Sequence, residues 1–256
     1  MARRPRLDFA GFHHIVNRGV ARGNIYNSDD DKEKFLEILC KACSNYKVNV
    51  HDYCLMDNHY HLLVETTAEN LSLFVRQINA NYAIYFNKKY RRIGHLWQGR
   101  YKSWYVIQDE YLYRLFRYIE HNPIEAKMSR TVGEYSFTLA ATLLNADQEV
   151  IPCALHSKLK KEIHNEDIQE LLAKALSKKE LKELETEQKK KIVQIEHEFK
   201  QEKHKTLQEH FKDAENIVLR NSAMLLAIKD GYTQGEVARY LKLSAAMVSK
   251  IFRGVK

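Results

Sequence analysis

Between about residues 12 and 137, short apolar segments alternate with longer amphipathic segments, which is the pattern of an α+β fold. The predicted strands are residues 13–17, Val48–Met56, His59–Thr66 and residues 100–107. Asp57 and Asn58 separate the second strand from the third, and this turn pair predicts a β-hairpin. The predicted helices are Asp29–Tyr46, about residues 71–88 and about residues 109–121.

The third predicted helix runs into Pro123, which lacks a backbone N–H and disfavours helical geometry at the preceding residue. We therefore expect the helix to end at Asn122 and to leave its amide free to point at a ligand. Tyr118 lies four residues earlier, so the two side chains share one face of the helix end. The alternative for Tyr118 is an aromatic residue of the core, since the chain contains 15 tyrosines.

The composition changes in residues 157–212, which are rich in Lys, Glu, Gln and Leu and contain no Gly or Pro. Ser177 and Glu180 have the spacing of a capping box and predict a helix start within this segment. Apolar positions at residues 192–199 keep a heptad-like step that is not sustained. The main interpretation is a charged helical linker over residues 151–215, and a dimerising coiled coil is the alternative.

Residues 216–256 predict a helix, a three-residue turn and a second helix, similar to the helix-turn-helix of many bacterial DNA-binding proteins. Thr233 and Glu236 form a capping box, and Ser244 can cap the second helix. Lys242 stands where such motifs usually place glycine, so a left-handed conformation is expected there. The alternative is a helical packing module. The basic residues that could face phosphates are Arg239, Lys242, Lys250, Arg253 and Lys256.

The 256 residues are enough for one catalytic domain and a smaller module. The chain has no run of about 18 to 20 apolar residues and no apolar signal segment, so we expect a cytoplasmic protein without membrane spans. A net charge of +8 fits a polyanionic partner. Of the four cysteines, Cys40 and Cys43 share one face of a predicted helix and are expected to be packed thiols, with no disulfide scaffold.

Two histidines give the chain its first candidate chemistry. Side chains alternate along a strand, so His59 and His61 project from one face of the third strand, while Tyr60 and Leu62 project from the other. Two imidazoles on one face can converge on a divalent cation. The alternative is that both are ordinary polar residues of a half-buried strand.

The histidine pair, followed downstream by Tyr118, Asn122 and Pro123, resembles the single-tyrosine transposases of the HUH class, and most closely the REP-associated tyrosine transposases. The segment His-Ile-Val-Asn-Arg-Gly at residues 14–19 is similar to the opening of that family. The segment Gly-His-Leu-Trp-Gln-Gly-Arg-Tyr-Lys-Ser at residues 94–103 is similar to the part that precedes the tyrosine helix. The resemblance covers about residues 8–140 in four ordered blocks.

This resemblance implies a ferredoxin-like antiparallel sheet with flanking helices over residues 1–150. It also implies that His59, His61 and Asn122 hold Mg²⁺ or Mn²⁺ and that Tyr118 is the nucleophile. Two imidazoles and an amide leave positions open for phosphate and water, which suits a catalytic site. The implied reaction is attack of Tyr118 on single-stranded DNA to give a 5′-phosphotyrosine and a free 3′-OH, followed by strand transfer.

Three basic residues of the resembling region, Arg18, Arg100 and Lys102, are candidate phosphate contacts. Three aromatic residues are candidates for stacking on unpaired bases, with packing in the core as the alternative; they are Trp97, Tyr101 and Trp104.

Two positions depart from the family pattern. Asp57 stands where the family usually has proline, which changes the hairpin turn and not the metal ligands. Glu125 stands where arginine commonly follows Asn-Pro, so a phosphate contact by that arginine is lost or inverted in this chain.

The sequence therefore predicts an endonuclease and strand-transferase acting on single-stranded DNA near hairpins formed by palindromic repeats. A homodimer, and double-stranded DNA bound through the C-terminal module, are further expected partners. One alternative is a sequence-specific DNA-binding regulator with an inert nuclease domain, suggested by the basic C-terminal module and Glu125. A more remote alternative is a partner-binding protein built on the charged helices of residues 177–212.

Overall fold

The computed structural model describes residues 9–106, 109–145, 147–162, 171–173, 175–176, 180, 183, 186, 205–244 and 247–249. The chain divides into two compact units, Met1–Gln188 and Lys189–Lys256, and each is treated separately below. The predicted domain boundaries at residues 150 and 215 stay predictions. The predicted capping box at Ser177 and most of the predicted linker lie outside the described residues. Within the described part of the chain, no helix has the length and apolar character needed to cross a membrane.

The first unit is built on a four-stranded sheet in the order β2-β3-β1-β4. Every neighbouring pair is antiparallel. The chain order of the elements is strand, helix, strand, strand, helix, strand, and with this strand order it is the ferredoxin-like arrangement that the family resemblance implied. The strands are β1 (Gly11–Arg18), β2 (Val48–Met56), β3 (His59–Thr66) and β4 (Lys102–Val106).

The predicted β-hairpin is confirmed, with Asp57 and Asn58 as its turn between β2 and β3. The pairing runs from Met56 with His59 at the turn to Val48 with Thr66 at the open end, and an irregularity interrupts it between Val50 and Asp52. The bulge leaves one extra residue in β2, and such an insertion bends a strand locally.

Two helices cover one face of the sheet: α1 (Asp29–Tyr46) and α2 (Leu71–Lys89). A capping box formed by Ser28 and Asp31 starts α1, as its acidic first turn indicates. Tyr60 packs against Phe35 of α1 and donates a hydrogen bond to Asn79 of α2 at 2.9 Å. The alternation of β3 therefore sends Tyr60 into the core on this side and leaves its two histidines on the other face.

The third helix, α3 (Asp109–Glu125), contacts β2 and β4. Its end differs from the prediction, because α3 continues through Pro123 instead of stopping at Asn122. Proline cannot donate to the carbonyl of Ile119, as the N–H at that position would in a regular helix. The side-chain Nδ2 of Asn122 donates to that carbonyl instead, at 3.3 Å, and so offsets the lost hydrogen bond.

The short helices α4 (Leu139–Leu144) and α5 (Lys158–Glu162) follow in the first unit, with a 3₁₀ turn at Pro152–Ala154 between them. The residues directly after position 150 pack on the sheet. Ser157 donates to the carbonyl oxygen of His51 at 2.9 Å, and the Lys158 N–H donates to His51 Nδ1 at 2.8 Å.

The structure corrects the prediction for one cysteine. Cys40 of α1 forms a disulfide with Cys153, 113 positions away, whereas Cys43 is a buried free thiol. The sequence placed Cys40 and Cys43 on one face of a helix, but the pairing partner comes from a distant segment that local spacing does not reveal.

The second unit contains α6 (Leu207–His210), α7 (Ile217–Lys229) and α8 (Gln234–Tyr240). The predicted capping box of Thr233 and Glu236 starts α8. Lys242 has φ +54° and is left-handed, as predicted, and the Met247 N–H donates to Ser244 Oγ at 3.2 Å. These local features fit a helix, a turn and a second helix, and the DNA-binding role of the module stays a prediction.

Candidate active site

The candidate site lies on the face of the sheet opposite α1 and α2. Directly paired residues of antiparallel strands project from the same face, so the pairings of Arg18 with His59 and of His14 with both Leu63 and Trp104 align these side chains. A cavity of about 770 Å³ opens on this face. The predicted site residues that line it are His59, His61, Tyr118, Asn122, Arg18, Arg100 and Lys102. The sequence thus identified residues from four separate segments that the fold brings together.

His59 is oriented by the residue before it in the hairpin turn. Its Nδ1 lies 2.7 Å from Asn58 Oδ1, so Nδ1 carries the proton in this contact and Nε2 keeps its lone pair. Burial, followed by the positive charge of Arg18, lowers the pKa of His59. A neutral imidazole with one available nitrogen is the form that binds a metal ion.

His61 is held in a similar way by a residue that the sequence analysis did not assign to the site. Its Nδ1 lies 3.1 Å from Nε2 of His14, with the two ring planes nearly parallel and their centroids 5.3 Å apart. Burial lowers the pKa of His61 well below the ordinary value, with smaller contributions from His14 and His59. Burial also lowers the pKa of His14 to about 3. All three imidazoles are therefore neutral at neutral pH.

Tyr118 projects from α3 towards these histidines. Its ring centroid lies 5.6 Å from that of His61 and 6.1 Å from that of His14, in both cases edge to face. Tyr118 is partly buried: it packs against the hydrophobic core and also lines the cavity, so this position fits both the nucleophile and the aromatic-core interpretations.

Asn122 lies one turn after Tyr118 and lines the same cavity. Its Nδ2 donates to the carbonyl oxygens of Tyr118 and Ile119 at 2.7 and 3.3 Å. With the amide nitrogen committed to the helix, Oδ1 is the atom of this side chain that can bind a cation.

The three predicted ligands fit a divalent cation by their chemistry. Each histidine has Nδ1 engaged and Nε2 available, and Asn122 has a carbonyl oxygen available. Among the described residues, no group of three or more His, Cys, Asp and Glu side chains forms a metal cluster. The predicted set contains only two residues of those types, so the amide is required to complete it.

The cationic rim of the cavity contains the three predicted phosphate contacts and one that the sequence analysis missed. Arg18 donates from Nε to Gln98 Oε1 at 3.0 Å, and Arg100 and Lys102 are exposed at the rim. Arg22 also lines the cavity, in a segment where both it and Ala21 have positive φ. Its basic character was visible in the sequence, but the backbone turn that directs it to the cavity was not.

The three aromatic candidates for base stacking lie in different environments in the structure. Trp104 lines the cavity and stacks on His14 at 5.2 Å. Trp97 packs against Tyr60 and donates to the carbonyl oxygen of Asn79 at 2.9 Å. Tyr101 is buried in the core. Trp97 and Tyr101 therefore follow the packing alternative, and Trp104 stays a candidate for stacking.

Beneath the site, a pair of buried carboxyl groups joins α3 to the rest of the unit. Glu120 Oε1 accepts a hydrogen bond from the Ala140 N–H at 2.8 Å, and Asp52 of β2 lies next to Glu120. Burial raises the pKa of Glu120 to about 7, and burial and the Glu120 charge raise that of Asp52 well above its ordinary value. Asp52 within the apolar run of β2 could have indicated a buried carboxyl group, but the sequence analysis did not use it.

The remaining predicted contacts lie elsewhere. Glu125 is exposed at the end of α3 and is not among the residues that line the cavity. Arg239 is exposed on α8 in the second unit. Lys250 and Arg253 lie outside the described residues.

Comparison with known proteins gives a family match over part of the chain. The family described as "Transposase IS200 like" matches residues 10–122. No curated protein sequence matches the chain. A solved REP-associated tyrosine transposase bound to a REP hairpin has 15% sequence identity and a TM-score of 0.45, covering 54% of this chain and 81% of that chain. A putative transposase from Deinococcus radiodurans R1 has 16% identity and a TM-score of 0.34, covering 47% and 97%. The family match supports the resemblance to transposases over residues 10–122.

Proposed function

We propose that this protein is a transposase, a single-stranded DNA endonuclease and strand-transferase that uses Tyr118 as its nucleophile. One observation carries the proposal: the Tyr118 ring lies 5.6 Å from the His61 ring in a cavity that also contains His59 and Asn122. A phenol beside a set of cation ligands, within a basic rim, is an arrangement suited to attack on a phosphodiester.

The covalent step needs no further reactant. The phenolic oxygen of Tyr118 forms a bond to phosphorus as the bond between phosphorus and the 3′ oxygen breaks. The phenolic proton passes to solvent, and the departing 3′ oxygen takes up a proton. The products are a 5′-phosphotyrosine and a free 3′-OH, and the reverse reaction with another 3′-OH joins strands without ATP.

His59, His61 and Asn122 would hold Mg²⁺ or Mn²⁺ beside this phosphate. When bound, the cation neutralises charge that develops on the phosphate and the leaving oxygen. The residues of the chain prepare this site by fixing the ligand nitrogens, since Asn58 and His14 each engage an Nδ1 atom.

The proposed substrate is single-stranded DNA beside a hairpin, in keeping with the sequence resemblance to REP-associated transposases and with the hairpin in the first structural match. Arg18, Arg22, Arg100 and Lys102 supply positive charge for the phosphates, and Trp104 offers a ring face for an unpaired base.

The test is formation of a covalent protein–DNA adduct with a labelled single-stranded hairpin substrate in the presence of Mn²⁺. We expect an adduct for the unmodified protein and none for Tyr118→Phe. Tyr113→Phe is a matched control, because it removes a hydroxyl from the same helix at a position that does not line the cavity. An adduct that persists in Tyr118→Phe refutes the assignment.

A second candidate is a DNA-binding regulator with an inert nuclease domain. The capped helix α8 and the left-handed turn at Lys242 favour it, because this local geometry suits a helix-turn-helix. Repression of a reporter without cleavage, retained in His59→Ala, would support this function over the first.

A further inference from the structure

We infer that His14 is a positioning residue that orients the metal ligand His61 and the nucleophile Tyr118 relative to each other. This inference rests on the proposed function, since it assigns a role within the same site. It concerns a side chain that neither the predicted ligand set nor the predicted DNA contacts include.

His14 contacts the site on three sides. Its Nε2 lies 3.1 Å from Nδ1 of His61, with the two ring planes nearly parallel and their centroids 5.3 Å apart; its ring stacks on Trp104 at 5.2 Å, and its centroid lies 6.1 Å from the edge-on ring of Tyr118. Only 5% of His14 is exposed, so these contacts hold the ring within the packed sheet. A ring held at its edge by a hydrogen bond to His61 and on its face by Trp104 keeps its ring nitrogen in one direction.

The hydrogen bond fits the tautomer of His61 that a cation on Nε2 requires. A neutral imidazole that binds a cation through Nε2 carries its proton on Nδ1. In that tautomer the Nδ1 proton of His61 points at Nε2 of His14, which is then the acceptor. His14 therefore favours the tautomer of His61 whose Nε2 lone pair is available to the cation.

The same contact argues against His14 as a cation ligand through Nε2, because this nitrogen is already paired with His61. His59 receives equivalent support from Asn58, its neighbour in the hairpin turn. His14 differs from Asn58 because it comes from another strand, β1, and also contacts Tyr118. One side chain thus links the ligand strand to the nucleophile helix.

The test compares substitutions that keep or remove the hydrogen-bond acceptor. His14→Gln can accept from His61 Nδ1 through its amide oxygen. His14→Phe keeps a stacking ring but cannot accept, and His14→Leu serves the same purpose if the phenyl ring does not fit. The main measurement is the Kd of the full chain for Mn²⁺, determined by electron paramagnetic resonance. Thermal unfolding checks that each variant is folded, and adduct formation is the second readout.

We expect the Kd for Mn²⁺ to rise about 10- to 100-fold in His14→Phe or His14→Leu, as is typical for loss of a residue that orients a ligand, and to stay within about threefold in His14→Gln. Adduct formation should follow the same order. A folded His14→Phe and His14→Leu that bind Mn²⁺ like the unmodified protein overturn the inference. Equal loss in all three folded variants also overturns it, because rescue by an acceptor is then absent.

His61→Ala separates this inference from the proposed function. If the unmodified protein does not bind Mn²⁺, or if His61→Ala binds it equally well, the proposed metal site is wrong. If His61→Ala loses binding and His14→Phe does not, the metal site stands and the role of His14 is wrong.

Discussion

The side-chain amide of Asn122 donates a hydrogen bond to the backbone carbonyl oxygen of Tyr118, at 2.7 Å. Asn122 thus connects the proposed nucleophile to the proposed metal site, because its Oδ1 atom can bind the cation while its Nδ2 atom donates to the helix. Asn122 also donates to the carbonyl oxygen of Ile119, which has no backbone N–H partner in the helix because residue 123 is proline. The helix can therefore continue past the proline and keep Asn122 facing the cavity.

This double role predicts different effects for two substitutions of Asn122. Asn122→Ala removes both the ligand oxygen and the donor, so we expect Mn²⁺ affinity to fall at least about tenfold and the free energy of unfolding to fall by about 1 kcal/mol. Asn122→Asp keeps an oxygen ligand but loses the donor. It should bind Mn²⁺ but lose at least as much stability, since a carboxylate then faces helix carbonyl oxygens.

Urea unfolding and Mn²⁺ titration of the two variants check this prediction. Asn145→Ala is a control for general loss of an asparagine, because its Nδ2 also donates to a backbone carbonyl, that of Gly133 at 2.9 Å, away from the cavity. Equal Mn²⁺ affinity in Asn122→Ala and the unmodified protein would show that Asn122 is not a ligand.

The buried carboxyl pair beneath α3 predicts a pH dependence of stability. Burial raises the pKa of Glu120 from 4.5 to about 7, so the folded state holds this proton more tightly than the unfolded state does. The resulting stabilisation is fully present below about pH 4.5 and is lost as the pH rises through about 7. The raised pKa of Asp52 acts in the same direction.

Glu120→Gln tests this relation, because glutamine is neutral throughout and can still accept from the Ala140 N–H. We expect the loss of unfolding free energy between pH 5 and pH 8 to be smaller in the variant, by on the order of 2 kcal/mol. Glu125→Gln, which changes an exposed carboxylate of the same helix, should leave the pH dependence unchanged. An unaltered pH dependence in Glu120→Gln would contradict the assignment of the shifted group.

Local patterns predicted the sheet well, since the bounds of the β2–β3 hairpin and of α1 agree with the sequence analysis. Alternation and turn residues determine such elements over a few positions. The predicted end of α3 was wrong because the side chain of Asn122 replaces the backbone hydrogen bond that is lost at Pro123. The motif order gave the proposed ligands and the proposed nucleophile, whereas the places of His14 and of the carboxyl pair depend on contacts between distant segments.

The disulfide between Cys40 and Cys153 predicts a response to reductant. It closes a loop of 113 positions between α1 and the segment before α5, and closure of a loop of about 100 residues stabilises a fold by about 3 to 5 kcal/mol in the chain-entropy account. We expect reductant to lower the free energy of unfolding by an amount in that range. Peptide mapping without reduction should recover the two cysteines in one linked fragment.

Cys153→Ser provides the control for this response. It removes one partner and leaves the buried thiol of Cys43 in place. Its stability should be the same with and without reductant. An unmodified protein that is equally insensitive would show that the bond does not form in solution.

The turn in the second unit predicts a stabilising substitution. Lys242 has φ +54°, a left-handed conformation that costs a residue with a side chain about 1 kcal/mol and costs glycine little. Lys242→Gly should therefore stabilise the second unit, by less than about 1 kcal/mol, because glycine also gains entropy in the unfolded chain.

Arg239→Gly places glycine inside α8, where it should destabilise by about 1 kcal/mol. Hydrogen exchange of amides in α7 and α8 of the full chain measures both effects, and slower exchange in Lys242→Gly with faster exchange in Arg239→Gly is the expected result. Faster exchange in both variants would show that the lysine side chain contributes more to this turn than its backbone conformation costs.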